Sequence, residues 1–277
     1  MRFVKNWLFG FLLILIADNK GQAARVDTVS VFSNAMHREY KCVVIKPETY
    51  KKSKEAFPVV YLLHGYDGWY SNWIIRVPEL KKWADLFNLI IVCPEGHKSS
   101  WYFDSPVDST MRFETYVGTE VPAWIDAHYK TIKNRKGRAI TGLSMGGHGG
   151  LFIGFRHADI FGACGSMSGG VDLYSSRNKY DIIKRLGDTL THRDNWVNYS
   201  VFHVVETPPT DTLKIIIDCG IKDFFFPANQ QIHEKLLNLK IQHDFIVRPG
   251  QHDWAYWRNA VGYQLLFFKN YFDQGNS

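Results

Sequence analysis

The sequence of 277 residues predicts one α/β domain on a mostly parallel, doubly wound sheet that opens with antiparallel strands. Three observations lead there. Short runs of purely apolar, β-prone residues, with Val59-Val60-Tyr61-Leu62-Leu63 the clearest, have the character of strands covered on both faces. These runs alternate with segments whose apolar residues recur at helical spacing, as strands joined by crossover helices require. The hydrophobic share of 45%, with 15% aromatic, is enough to close one large core.

Taken in order, the first 23 residues stand apart from the rest. Arg2 and Lys5 give a positive start, an apolar run follows from Trp7 to Ala17, and Gly21-Gln22-Ala23 offers the small residues a signal peptidase reads. The run is shorter than the roughly 20 residues of a spanning helix. A signal peptide over 1–23 is therefore expected, with the single domain at 24–277, and a retained anchor is the alternative. Export to the periplasm or outside the cell follows, without stable membrane insertion once the leader is removed. No cysteine follows the apolar run, so a lipid-modified N-terminus finds no support.

The β-rich runs 28–32 and 40–45, parted by a polar turn at Ser33-Asn34, predict the antiparallel opening pair. Parallel strands are then expected at 59–63, 89–92, 138–141, 161–166, 213–218 and 245–247, with helices at 78–87, 114–129, 146–156, 229–239 and 256–271. Only 169–210 breaks the rhythm, being polar and uneven and ending near Pro208-Pro209; so long a segment predicts a lid-like insertion.

Charge excludes some functions. The net charge is +6, but 33 basic residues are scattered among 27 acidic ones without runs, so no phosphate-tracking stripe and no nucleic-acid partner are indicated. Cys42, Cys93, Cys164 and Cys219 lie in or at the end of apolar runs and are expected as buried free thiols. None has a nearby cysteine or histidine at zinc-ligand spacing, so no metal site is expected.

The chemistry centres on Gly142-Leu143-Ser144-Met145-Gly146, which falls between a predicted strand and a predicted helix. That is the context of a nucleophile elbow, whose tight turn excludes side chains two residues before and after the serine. A hydroxyl is a weak nucleophile at neutral pH and needs a base, and the base needs an orienting acceptor. Among eleven histidines, His252 follows the last predicted strand and precedes the last helix, where an α/β-hydrolase presents its base. Asp223 lies past Gly220 in the loop after the preceding strand, whereas Asp218 would still be inside that strand as a structural acid and Asp253, beside the base, would point elsewhere. The chain order Ser144, Asp223, His252 is that of α/β-hydrolases. Backbone N–H groups of Met145 and Tyr66 are the expected oxyanion donors, with Gly65 the alternative to Tyr66.

These residues sit in a set of motifs: L-L-H-G-x-x-G around His64, S-W-Y-x-D-S-P at 100–106, G-L-S-M-G-G from Gly142, C-G-x-x-D-F from Cys219 and G-x-H-D-W-x-x-W from Gly250. Together they resemble the esterase D family, which includes tributyrin esterases, feruloyl and acetyl-xylan esterase domains, S-formylglutathione hydrolase and mycolyltransferases. The resemblance spans nearly all of the chain after the leader. It implies the α/β-hydrolase fold, no cofactor, and the same Ser144, Asp223 and His252. It also implies a serine carboxylic-ester hydrolase that forms an acyl-enzyme from short-chain or aromatic acyl esters, including those on polysaccharide, so the expected partner is a small ester or an acylated carbohydrate. Export disfavours the cytosolic glutathione thioester. Trp69, Trp73, Trp101 and Tyr102 fall on loops expected at the carboxyl ends of strands, where their rings would stack on a sugar or feruloyl ring or else pack the walls of the site. An acyltransferase of the same fold and a non-catalytic carbohydrate-binding protein are the alternatives.

Overall fold

Residues 24–210 and 212–274 are described by the computed structural model; the expected signal peptide at 1–23 lies outside them. The opening strands β1 (Arg25–Ser33) and β2 (Arg38–Lys46) pair antiparallel, and β2 pairs antiparallel with β4 (Ile90–Pro94). From β4 onward the sheet is parallel through β3 (Val59–Leu63), β5 (Arg138–Gly142), β6 (Ala163–Met167), β7 (Lys214–Gly220) and β8 (Asp244–Arg248). The resulting order is β1-β2-β4-β3-β5-β6-β7-β8.

Every residue of β3, β4, β5 and β6 is buried, which is why these strands lack the polar alternation of a half-exposed sheet. Val59, Tyr61 and Leu63 enter one core layer and Val60 and Leu62 the other, as the two-residue period of a strand demands. The second layer is closed by α2 (Leu80–Phe87) and, at the end of the chain, by Tyr256, Trp257, Val261 and Leu265 of the last helix. A short α1 (Asn72–Arg76), not expected from the sequence, precedes α2. On the first layer, α3 (Phe113–Thr115) runs through a π-helical turn, Tyr116–Glu120, into α4 (Val121–His128), where the sequence suggests one continuous helix. Beside it lies α5 (Met145–Arg156).

The stretch 169–210 folds as short helical pieces, among them α6 (Ile182–Leu186), α7 (Arg193–Asn198) and α8 (Val201–Val204). Buried Arg185 ties it down, donating to Asp108 Oδ2 at 2.7 Å and to the Ser99 carbonyl at 3.2 Å. His148 of α5 reaches the Tyr199 carbonyl at 2.9 Å. The chain closes with α9 (Phe226–Asn238) and α10 (Trp254–Gln274). Helix α9 starts ahead of the expected 229 because Pro227, with its fixed φ and missing N–H, suits a first turn. All four cysteines are buried free thiols, as expected. No helix among the described residues is long and apolar enough to cross a membrane.

Candidate active site

The turn from β5 into α5 holds Ser144 at φ 55° and ψ −115°, a strained conformation for a residue with a side chain. Its neighbours make the turn possible. A Cβ on Gly142 would stand 2.6 Å from the carbonyl oxygens of Leu63 and Gly146, and one on Gly146 would stand 2.5 Å from that of His64. Ser144 donates its own N–H to the Met167 carbonyl at 2.9 Å, which pins the turn to the end of β6.

His252 lies between β8 and α10. The Ser144 hydroxyl is 2.9 Å from its Nε2, and its Nδ1 is 2.8 Å and 3.0 Å from the two carboxylate oxygens of Asp223. That carboxylate is fully buried and also accepts the Phe225 N–H at 2.8 Å. The Asp223 and His252 loops are stitched together, with Ile221 N–H donating to the Arg248 carbonyl at 3.0 Å and Lys222 N–H to that of Gly250 at 2.9 Å. A carboxylate acceptor holds the imidazole proton on Nδ1 and leaves Nε2 free to accept the hydroxyl proton.

Asp218 stays inside β7, fully buried, with its carboxylate taken by the Arg248 guanidinium and the Tyr256 hydroxyl. Burial, the largest influence on it, lifts its pKa above the ordinary aspartate value against the pull of those two donors. Asp253 accepts the Tyr256 N–H and the Gln251 side-chain amide, each at 2.9 Å, and makes no hydrogen bond to the imidazole.

The loop after β3 is set by His64. Its Nε2 accepts the Gly96 N–H at 2.9 Å, which puts the proton on Nδ1. Nδ1–H then donates to the Gly65 carbonyl at 2.8 Å, and Gly68 N–H joins it at 3.1 Å. Gly65 C=O and Tyr66 N–H belong to one planar peptide and point in opposite directions, so fixing the first aims the second. Among the described residues neither Tyr66 N–H nor Met145 N–H donates to a protein acceptor, and Met145 stands first in α5, where intrahelical partners are lacking.

Ser144 and His252 open onto a cleft of about 460 Å³ walled by Tyr66, Trp69, Tyr180, Phe224, Trp254 and Trp257. Trp69 is 47% exposed and lines it. The other three aromatic residues expected to touch substrate do not: Trp73, Trp101 and Tyr102 are each exposed by 1% or less and lie in the core. Each has spent its polar atom on backbone, Trp73 Nε1 on the Leu63 carbonyl at 2.9 Å, Trp101 Nε1 on that of Tyr180 at 3.1 Å and Tyr102 hydroxyl on that of His64 at 3.0 Å. A large ring can satisfy its one donor and bury the rest of its surface, and these three have done so. The sequence reading missed Phe224, Trp254, Trp257 and Tyr180. The first three adjoin Asp223 or follow His252 closely, a usable signal; Tyr180 arrives from the 169–210 stretch, whose path the sequence does not disclose.

Comparison with known proteins identifies the family. Residues 33–268 match the model of the Esterase family, described as "Putative esterase". An acetyl esterase of Caldicellulosiruptor saccharolyticus is 27% identical over 222 residues, covering 75% of this chain and 81% of that one. The diacylglycerol acyltransferase/mycolyltransferase Ag85A of Mycobacterium tuberculosis is 34% identical over 156 residues, covering 53% of this chain and 44% of that protein. Among solved structures, a ferulic acid esterase superposes with a TM-score of 0.77 at 29% identity, covering 90% of this chain and 98% of the other. The serine hydrolase FphF of Staphylococcus aureus also superposes at 0.77, over 89% of this chain and 98% of its own, and at 19% identity that likeness speaks for the fold alone. An eight-stranded sheet with antiparallel opening strands, a strained serine turn and a family match over most of its length make this chain a member of the Esterase family, a serine ester hydrolase of the α/β-hydrolase fold.

Proposed function

We propose that Ser144, His252 and Asp223 form the catalytic triad of a carboxylic-ester hydrolase that works through an acyl-enzyme. The observation that carries this is the unbroken run of hydrogen bonds from Ser144 Oγ through His252 to a buried carboxylate. In acylation His252 Nε2 takes the hydroxyl proton as Oγ attacks the ester carbonyl carbon. The resulting oxyanion is received by the N–H groups of Met145 and Tyr66, and Asp223 stabilises the imidazolium. As the C–O bond to the alcohol breaks, Nε2 returns the proton to the departing oxygen. Water repeats the sequence on the acyl-enzyme and releases the acid.

The aromatic cleft supports short-chain or aromatic acyl groups, including those borne by polysaccharide, in keeping with the names of the acetyl esterase and ferulic acid esterase relatives. Similarity to Ag85A supports a second reading, in which a sugar hydroxyl replaces water as acceptor. Partition of product between free acid and transferred ester in the presence of added sugars separates the two. We further assign 169–210 as a lid over the cleft, supported by Tyr180 in its wall, and 1–23 as an export signal.

The test is direct. Ser144→Ala should cut turnover of a chromogenic butyrate ester by about 10⁴-fold or more and abolish labelling by an organophosphonate. Undiminished turnover removes the assignment.

A further inference from the structure

The cleft beside Ser144 holds two hydrogen-bond donors that the triad mechanism does not use. Asn72 and Arg76 stand at i and i+4 on α1, hence on one face and a turn apart, and both line the cleft. Asn72 is only 8% exposed. Its Oδ1 accepts the Trp69 N–H at 2.9 Å, which fixes the amide and leaves its NH₂ group with no acceptor among the described residues. Arg76 is exposed and has neither an ion pair nor a hydrogen bond there.

Other charges at this rim are already matched. Asp67, which also lines the cleft, lies 3.5 Å from Lys98. Asp181 lies 2.9 Å from Lys184 and accepts the Tyr66 hydroxyl at 3.2 Å. Setting the triad aside, Arg76 is thus the one uncompensated charge among the described residues lining the cleft. A planar guanidinium fork with an amide donor one turn away is a fitting receptor for a carboxylate, whose two oxygens can take one donor each or share the fork.

We propose that Asn72 and Arg76 form a subsite for a carboxylate carried by the ester substrate, so that the enzyme favours acidic esters, such as those of acid-bearing sugars or half-esters of dicarboxylic acids. This rests on the reading of Ser144 as the nucleophile. The carboxylate would sit beside the reacting ester, on either its alcohol or its acyl side, and would act on binding rather than on the bond-breaking step.

Two matched pairs of substrates separate the cases. 4-Acetoxybenzoate against 4-acetoxybenzamide places charge on the alcohol side; monoethyl glutarate against its terminal amide places it on the acyl side. The readout is the ratio of kcat/KM for acid over amide, in which the fraction of active protein cancels. The ratio should exceed one by about fivefold in at least one pair, through KM, and should shrink as salt is raised. Arg76→Gln should bring it to near one, and Arg76→Glu should invert it. Asn72→Asp keeps the acceptor for Trp69 N–H while replacing the free NH₂ with a negative oxygen, and should invert it as well. A ratio near one in both pairs for the unaltered enzyme overturns the proposal, as does a preference that survives Arg76→Glu. Hydrolysis of none of the four esters overturns it too, and labelling of Ser144 by an organophosphonate then decides whether the esterase reading falls with it.

Discussion

Asp218 and Asp223 share one strand and its following loop, and the same aspartate-to-asparagine exchange should damage the protein in opposite ways at the two positions. At Asp223 the carboxylate serves Phe225 N–H through Oδ1, and His252 Nδ1 lies 3.0 Å from Oδ1 and 2.8 Å from Oδ2. An asparagine that keeps its oxygen on Phe225 N–H turns its NH₂ toward Nδ1. The ring must then carry its proton on Nε2, where the Ser144 hydroxyl needs a lone pair. Wrong-tautomer loss in a triad is about 10⁴-fold in kcat, or about 5 kcal/mol of transition-state stabilisation, with little change in folding. At Asp218 the exchange leaves the Arg248 guanidinium without its charge partner. Breaking a buried ion pair costs about 3 to 5 kcal/mol, and the low end is expected because Arg248 keeps Asn259 at 2.8 Å and is 19% exposed. The assay is kcat on a butyrate ester alongside urea unfolding of each variant. Asp223→Asn within tenfold of the parent, or Asp218→Asn that keeps its stability but loses turnover a thousandfold, would refute the assignment of the acid.

Three further outcomes follow from the geometry. His64→Phe should lower kcat by about 10-fold with KM nearly unchanged, because the Gly65–Tyr66 peptide loses one of its two anchors and keeps only Gly68 N–H, while Tyr66 N–H remains; steady-state kinetics check it, and an unchanged kcat would remove His64 from the positioning of the oxyanion donor. Gly142→Ala should cost about 1 to 3 kcal/mol in urea unfolding and reduce activity, since the new Cβ meets two backbone oxygens at 2.6 Å. His148 is fully buried, and burial pushes its imidazole down to about 4 from 6.5, against the pull of the Tyr199 and Trp101 carbonyls. A lowered folded-state value means the neutral ring is favoured: its contribution is complete above pH 6.5 and fades as pH falls toward 4, by up to about 3 kcal/mol. Stability measured across that window should therefore slope downward toward acid, and His148→Gln should flatten part of the slope.

How much of this was legible depends on whether a residue's surroundings are local. The strands β3 and β4 are readable because burial on both faces leaves an unbroken apolar signature; β3 has the expected limits and those of β4 differ by one or two residues. The serine turn is readable because its glycines answer a steric demand made within five residues. Asp223 could be told from Asp218 by the end of a strand alone. In contrast, α1 has five residues, too few to show a period, and so the face bearing Asn72 and Arg76 was invisible. Trp101 and Tyr102 lie on a loop as expected but on its inner side, and Trp73, expected on a loop, lies on the buried face of α1. A sequence tells which loop a ring belongs to, whereas its direction depends on distant carbonyls such as those of Leu63 and Tyr180. Tyr180 entered the cleft wall by the same kind of long-range packing.

The stitching between the loops after β7 and β8 has a mechanical consequence. It ties the His252 loop, which hangs from the outermost and only partly covered β8, to the Asp223 loop, which is rooted in the buried β7, while Ser144 stands on the fully enclosed β5. If warmth loosens the rim first, the imidazole can leave the Ser144 hydroxyl only by breaking those two backbone bonds or by drawing the Asp223 loop after it. Turnover would then vanish while most of the molecule still holds its shape, and cooling would restore it without any need to refold the centre.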